Sequence, residues 1–409
     1  MMNSPANSDR VCILGLGYIG LPTAAILAQH DYSVLGVDVN LKVVDTINQG
    51  AIHIIEPDLD QAVAAAVQSQ RLRASTKPEP ADVFIICVPT PFFPATEGLP
   101  QPNLDYVIAA TQAIAPVLQP GNLVLLESTS PVGATEQVAA TLAAAGAPLA
   151  SLHLAYCPER VLPGNTLHEM IHNDRVVGGL TPSAAAVAQA FYQSFCKGQI
   201  LTTDARTAEL CKLTENAFRD VNLAFANELS MLCPDLGVNV RELIRLANHH
   251  PRVNILQPGS GVGGHCIAVD PWFIAAAVPD RSPLLQTARR VNDHKPQWVV
   301  EQVIAAADQF ASTHQRQPTI ACLGLAFKPN VDDLRGSPAL EITQRLQALG
   351  YAILPVEPNL NAHSSLDLVP FSLALDKADL LVFLVGHREF REITPKQPYL
   401  DFCGVTYPT

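Results

Sequence analysis

The sequence predicts an α/β chain in which two Rossmann-like, doubly wound parallel sheets are joined by a central helical domain. Three observations predict it. A short apolar run, Val11 to Leu14, leads directly into Gly15-Leu16-Gly17-Tyr18-Ile19-Gly20, then a helical segment from Leu21 to Gln29 and a strand from Ser33 to Val37. From about Asp204 to Cys233 the chain reads as one long helix, with no proline or glycine until Pro234. A second strand–helix–strand pattern begins near Thr319, with strands at Ile320 to Leu325, Ala352 to Val356 and Leu380 to Val385 and a helix at Pro338 to Leu349.

Composition sets the bounds. The 409 residues suffice for two or three domains, and 48% hydrophobic with 16% charged residues describes a packed globular chain. Aromatics are only 6%, so the cores are aliphatic, as in helix-covered parallel sheets. A net charge of −12 argues against nucleic acid and anionic membranes as partners. No apolar run is long enough to span a bilayer, and the polar start, Met1 to Arg10, lacks a signal-peptide layout. A cytoplasmic location is expected. The nine cysteines are scattered and form no C-x-x-C pair, so neither a disulfide framework nor a zinc site is indicated. Most sit in apolar runs and read as small buried hydrophobes.

In the first unit the glycines permit a tight turn and the approach of a pyrophosphate to a helix N-terminus. Asp38 ends the second strand, about 20 positions after the fingerprint, where an acid accepts hydrogen bonds from an adenosine ribose. No arginine adjoins Asp38 to receive a 2′-phosphate, so NAD is favoured over NADP. Strands at Val83 to Val88 and Leu123 to Glu127 end in polar turns that contain Thr90 and Thr129. Ligands of open α/β sheets lie beyond the carboxyl ends of strands, which places both threonines toward the nicotinamide. Ser128 and Ser130 read as loop caps.

Along the long helix Lys212, Asn216, Arg219 and Leu223 recur on one face. A shorter helix, Val240 to Ala247, leads to a loop carrying His250 and Arg252 on either side of Pro251. Gly259-Ser260-Gly261-Val262-Gly263-Gly264-His265-Cys266 follows, with Asp270 and Pro271 after it. A thiol delivered by so glycine-rich a loop is presented to a ligand, where one on an apolar strand is merely packed. The turn from Phe327 through Lys328 to Arg335 follows the first strand of the second Rossmann-like unit and lacks a glycine fingerprint, so it suits a different phosphate ligand.

The ordered motifs GLGYIG, LESTSPVG, YCPERVLPG, CKLTENAFRD, HPRVN, GVGGHCIAVDP and FKPNVDDLR resemble the nucleotide-sugar 6-dehydrogenases over about residues 10 to 390. The GGHC and HPRVNIL segments look like the branch that acts on UDP-N-acetylhexosamines. The resemblance implies an NAD-binding domain (1–203), a central helical dimerisation domain (204–305) and a UDP-binding domain (306–409). It implies oxidation of UDP-N-acetyl-D-mannosamine at C6 to the carboxylate with two NAD+, for bacterial surface polysaccharides, with UDP-N-acetylglucosamine and UDP-glucose as alternatives. Cys266 would be the nucleophile and Lys212 the acid/base or oxyanion stabiliser, with Glu159 or Asp270 activating the hydrolytic water. Arg160, Val161, Lys212, Asn216, Arg219, His250, Arg252, Gly263, Phe327 and Lys328 would line the sugar-nucleotide site. Gly15, Gly17, Tyr18, Ile19, Gly20, Asp38, Thr90, Thr129 and Arg335 would contact NAD. Gly336 departs from the family, which often has Glu there, and is expected to loosen the turn presenting Arg335.

Two other readings compete. A hydroxyacid or phosphogluconate-type dehydrogenase shares the fingerprint and a Lys-x-x-x-Asn helix but needs neither Cys266 nor a second Rossmann unit. A non-catalytic NAD sensor would use the glycine loop as a partner contact.

Overall fold

The computed structural model describes residues 10–93, 98–161, 164–264, 266–360, 362–363, 366–391 and 393–407. Of the sequence motifs, Leu162, Pro163 and His265 lie outside the described residues, as does the start before Arg10. The chain forms two compact units, one of Met1–Thr214 with Trp272–Val278, the other of Glu215–Pro271 with Pro279–Thr409.

The first unit holds an eight-stranded sheet of β1 (Arg10–Leu14), β2 (Ser33–Val37), β3 (Leu72–Ser75), β4 (Val83–Ile86), β5 (Leu123–Leu126), β6 (His153–Tyr156), β7 (Arg175–Gly179) and β8 (Ile200–Asp204). Its order is β3-β2-β1-β4-β5-β6-β7-β8, parallel except where β6 meets β7. Strands β4 and β5 read as unbroken apolar runs because every residue in them is buried, with one core on each face of the sheet. The strand order reverses between β1 and β4, which puts the ligand crevice of such a sheet beyond the carboxyl ends of these two strands.

The second unit holds a parallel sheet of β9 (Thr319–Leu323), β10 (Ala352–Val356), β11 (Leu380–Phe383) and β12 (Tyr399–Asp401), in the order β10-β9-β11-β12. Two long helices, Ala205–Leu232 and Pro283–His314, supply the central helical region, and the division between the units falls inside the first of them. Strands β4, β5, β9 and β11 stop one or two residues before the apolar runs of the sequence do. Those last residues leave the ladder to begin the functional loops. No helix among the described residues is long and apolar enough to cross a membrane.

The two sheets share one device. In the first, the Asp38 carboxylate at the end of β2 accepts the Leu16 N–H at 3.1 Å and stays half-exposed. In the second, Glu357 just after β10 accepts the Leu325 and Ala326 N–H groups at 2.7 and 2.9 Å. Here, however, His387 Nε2 lies 3.0 Å from the same carboxylate, and both side chains are buried. Hydrogen bonds from His387 hold the Glu357 carboxyl below its ordinary range, against the opposing effect of burial.

Burial has the opposite consequence for Lys295 of the second long helix. Its ammonium sits 3.6 Å from the Trp298 ring centre and donates to Ser230 Oγ at 2.8 Å. Desolvation, aided by the nearby Arg241 charge, brings its pKa from 10.5 to about 7. Between those values the unfolded chain binds the extra proton, so stability rises with pH across the window. Lys295→Met is expected to raise the melting temperature at pH 7 by a few degrees, corresponding to about 1–2 kcal/mol, and to flatten this rise. Thermal melts at pH 7 and pH 9 check both effects.

Candidate active site

In the first unit, the fingerprint is built from three different demands on glycine. A Cβ on Gly15 would lie 2.5 Å from the Cys87 carbonyl oxygen, and one on Gly20 would lie 1.9 Å from that of Gly15. Packing therefore excludes a side chain at both. Among the described residues no atom comes within 4 Å of a Gly17 Cβ, which leaves open space there of the kind the close approach of a pyrophosphate needs. Helix Gly20–Gln29 starts at this loop with no side-chain cap, and Tyr18 is exposed beside Ile19. Asp38 completes the arrangement by bonding the loop at Leu16 and its own chain at Asn40 N–H, 2.9 Å. These residues fit a dinucleotide.

The turns after β4 and β5 are tied together. Thr90 donates its hydroxyl to the Thr129 carbonyl at 2.6 Å, so both predicted threonines sit at one place beyond the strand ends. Ser128 and Ser130 donate to the backbone of Val88 and Ser128, the capping role expected of them. Glu159 follows β6 and is buried. Its Oε2 accepts from Arg175 at 3.0 Å and its Oε1 from the Arg160 N–H at 2.7 Å. Arg175, which the sequence did not single out, is the buried partner of this candidate site residue. A single arginine in the run Arg175-Val176-Val177-Gly178-Gly179 was its one signal. Arg160 itself donates to the Asp174 carbonyl at 3.2 Å, Val161 packs against the apolar core, and Lys212 is buried on the long helix.

In the second unit, the Cys266 loop is fixed against the 327–338 turn. A Cβ on Gly263 would lie 2.3 Å from the Gly336 carbonyl oxygen, and one on Gly264, at φ +83°, would lie 2.8 Å from the Phe327 ring. Gly336 has φ +60°, a left-handed conformation that glycine adopts readily. Arg335 beside it is held by Asp333 through Nε–Oδ1 at 2.9 Å and Nη2–Oδ2 at 2.7 Å. Gly263→Ala is expected to push the two loops apart and weaken UDP binding roughly tenfold, about 1.4 kcal/mol, in a calorimetric titration.

Of the nine cysteines, Cys266 is the exposed one. The carbonyl of Cys266 accepts the Asp270 N–H at 2.9 Å, and Asp270, buried at the start of helix Asp270–Ala277, accepts from Asn216 Nδ2 at 2.5 Å. Cys266, Asp270 and Asn216 thus form one hydrogen-bonded group. Lys328 Nζ lies 5.6 Å from the Phe327 ring centre. Arg219 is exposed on the long helix, and His250 and Arg252 lie exposed on the predicted turn, where His250 Nδ1 accepts the Arg252 N–H at 3.3 Å.

Comparison with known proteins decides the family. Three domains of the UDP-glucose/GDP-mannose dehydrogenase family match in order: the NAD binding domain at residues 9–196, the central domain at 206–294 and the UDP binding domain at 321–402. The chain belongs to that family. It is accordingly an NAD-dependent oxidoreductase. A UDP-N-acetyl-D-mannosamine dehydrogenase of Escherichia coli strain K12 is 55% identical over 401 residues, 94% of each chain. An NDP-N-acetyl-D-galactosaminuronic acid dehydrogenase of Ralstonia nicotianae is 56% identical over 398 residues, 94% of this chain and 92% of that one. Among solved structures, the UDP-D-ManNAc dehydrogenase of Pyrococcus horikoshii superposes with a TM-score of 0.88 at 36% identity, covering 98% of this chain and 96% of its own. As a UDP-glucose/GDP-mannose dehydrogenase, the chain has its NAD signature in the first unit and its UDP signature in the second.

Proposed function

We propose that the protein oxidises UDP-N-acetyl-D-mannosamine at C6 to UDP-N-acetyl-D-mannosaminuronate, with Cys266 as covalent nucleophile. The observation that carries this reading is the thiol itself, exposed on a glycine loop seated on the turn of the UDP-binding domain. Relatives named for the mannosamine sugar at 54–55% identity support the substrate. The 56% identical relative named for an N-acetylgalactosaminuronic acid supports a second reading, an epimeric 2-acetamido sugar.

NAD+, when bound, takes up the hydride at each oxidation. The chain supplies the rest. The carbonyl oxygen of an aldehyde cannot drive loss of its C–H as hydride until a nucleophile adds and makes it an alkoxide, so the Cys266 thiolate adds to C6 and forms a thiohemiacetal. Its oxidation gives a thioester, and water then releases carboxylate and thiol. Lys212 holds a proton at the reacting oxygen and stabilises the oxyanion of each step, worth about 3 kcal/mol per donor. Asp270 and Glu159 are the carboxylates for the hydrolytic water. Asp270 shares a hydrogen-bonded group with the cysteine backbone, whereas Glu159 is held by Arg175. That difference supports Asp270.

Arg160, Val161, Asn216, Arg219, His250, Arg252, Phe327 and Lys328 belong to the sugar-nucleotide site in this proposal, and Arg335 to that for NAD. The three-domain division at 203 and 305 is part of it, supported by the family matches. So is a homodimer through the central helices. Phe218, Phe225 and Leu232 recur every seven residues along the first long helix and are exposed, as is Leu236 just beyond it. A cytoplasmic location and a role in surface polysaccharide synthesis complete the proposal.

The test counts NADH per molecule of limiting sugar, with the UDP derivatives of N-acetylmannosamine, N-acetylgalactosamine, N-acetylglucosamine and glucose in parallel. Two NADH with the mannosamine sugar preferred is the expected result. One NADH with free aldehyde would remove the thioester mechanism, and preference for another sugar would move the substrate.

A further inference from the structure

The segment leading into the Cys266 loop has no regular structure, yet its backbone groups are satisfied by asparagines. Asn222 of the first long helix accepts the Leu256 N–H at 3.1 Å and donates to the Asn254 carbonyl at 3.0 Å. Asn248 grips Ile255 the same way, accepting its N–H at 2.8 Å and donating to its carbonyl at 3.0 Å. Asn227 accepts the Gly259 N–H at 3.0 Å, at the first residue of the glycine loop. The next residue, Ser260, donates to the Leu384 carbonyl at 3.0 Å. Such partners hold an irregular, partly buried segment in place, since a backbone group left unmet away from water costs free energy comparable to a lost hydrogen bond.

Asn227 differs from the other two in what lies behind it. Its Nδ2 donates to Asn292 Oδ1 at 2.9 Å, Asn292 Nδ2 donates to Asp220 Oδ1 at 2.8 Å, and Arg289 Nη1 donates to the same oxygen at 2.6 Å. All four residues are buried, none more than 2% exposed. The chain has one possible sense. Arginine carries donors and no acceptor, so Asp220 Oδ1 accepts, Asn292 must turn its amide nitrogen to it, and Asn227 must turn its nitrogen to Asn292. The oxygen of Asn227 is thereby left facing Gly259. An asparagine alone can present either end of its amide; here an obligate donor three residues away in the network decides.

We propose that Asn227 is a positioning residue for the Cys266 loop, its orientation set by Arg289 through Asp220 and Asn292. This rests on the reading of Cys266 as the nucleophile. The relay holds the upstream end of the loop while the Phe327 and Gly336 contacts hold its downstream end. Loss of the Asn227 oxygen leaves the Gly259 N–H unmet and shifts the thiol relative to C6. Small misplacements of a reacting group lower rates by up to about 10²-fold.

The experiment compares wild type with Asn227→Leu, of similar volume without an acceptor, and with Asn227→Asp. In the aspartate variant the oxygen facing Gly259 survives, but the second oxygen meets Asn292 Oδ1 and breaks the relay. Besides kcat and the melting temperature, three readouts are taken on folded protein. They are the rate of Cys266 alkylation by iodoacetamide from its peptide mass, the share of oxidised sugar trapped as aldehyde by semicarbazide, and the affinity for NAD. The proposal expects kcat to fall about tenfold or more in both variants, with altered Cys266 alkylation, aldehyde escape and unchanged NAD affinity. Lower melting temperatures with wild-type alkylation and no aldehyde would overturn it, leaving the network a purely structural one. Asn227→Ser, which withdraws the oxygen without adding bulk, replaces the leucine variant if that chain does not fold. Should wild type itself yield one NADH per sugar, the thioester reading fails, while the alkylation comparison still decides whether the relay positions the loop.

Discussion

Cys266→Ala is expected to lower formation of the carboxylate by about 10³-fold or more while leaving NAD affinity unchanged. The size follows from the chemistry: without the thiol, the second oxidation loses its covalent adduct, and removal of a nucleophile from a cooperating set commonly costs 10³ to 10⁶ in kcat, roughly 4–8 kcal/mol of barrier. The first oxidation does not need the sulfur. A single-turnover measurement should therefore show up to one NADH and an aldehyde that semicarbazide traps. Two NADH per sugar from the alanine variant would mean that the exposed thiol is not the nucleophile. Cys211 and Cys403, neither buried nor on a glycine loop, are the controls, and their alanine variants should retain two NADH.

Arg175→Met is expected to be the most destabilising single change in the first unit, by about 3–5 kcal/mol. Arg175 donates to Glu159 at 3.0 Å and to the Met170 carbonyl at 3.0 Å, and its guanidinium carbon lies 4.8 Å from the Tyr192 ring centre. Glu127, whose Oε1 accepts the Tyr192 hydroxyl at 2.6 Å, is pushed up by burial and pulled back down chiefly by Arg175. Methionine fills similar volume but strands the Glu159 carboxylate in a dry interior. Urea denaturation followed by a probe in the NAD-binding unit measures the loss. Glu159→Gln in the same chain should recover part of it, because the stranded charge is then gone. Equal stability of the single and double variants would show that the stranded carboxylate is not the cause of the loss.

Much of both the fold and the site was legible because the chemistry is local. A glycine fingerprint needs only six consecutive residues, and the strands Ser33–Val37 and Ala352–Val356 and the helix Val240–Ala247 stand where their patterns predicted them. Cys266 stood out for the same reason, four glycines within eight residues. Strands β6 to β8 were not legible as a sheet extension. They are four or five residues long, and the antiparallel pairing of Ala155 with Gly179 is set by the sheet. Pro296 sits inside the helix Pro283–His314, although proline ordinarily marks an end, so the length of that helix was hidden as well. Arg175 and the asparagine relay escaped because their partners lie 16 and 65 positions away, and nothing in either neighbourhood names the other. Spacing along a helix revealed Asn216, but its partner Asp270 emerged only from the fold.

The buried pairing of Glu357 with His387 has a consequence for traffic through the enzyme. The carboxylate that would read a ribose in the second sheet is plugged, whereas its counterpart Asp38 remains open to solvent. The NAD binding domain lies in the first unit, whereas the proposed reaction consumes two molecules of NAD+. If the reaction runs as proposed, the first reduced dinucleotide leaves and a fresh one enters midway through a turnover. Under the proposed mechanism the half-oxidised sugar stays on its sulfur tether through that exchange and is not lost.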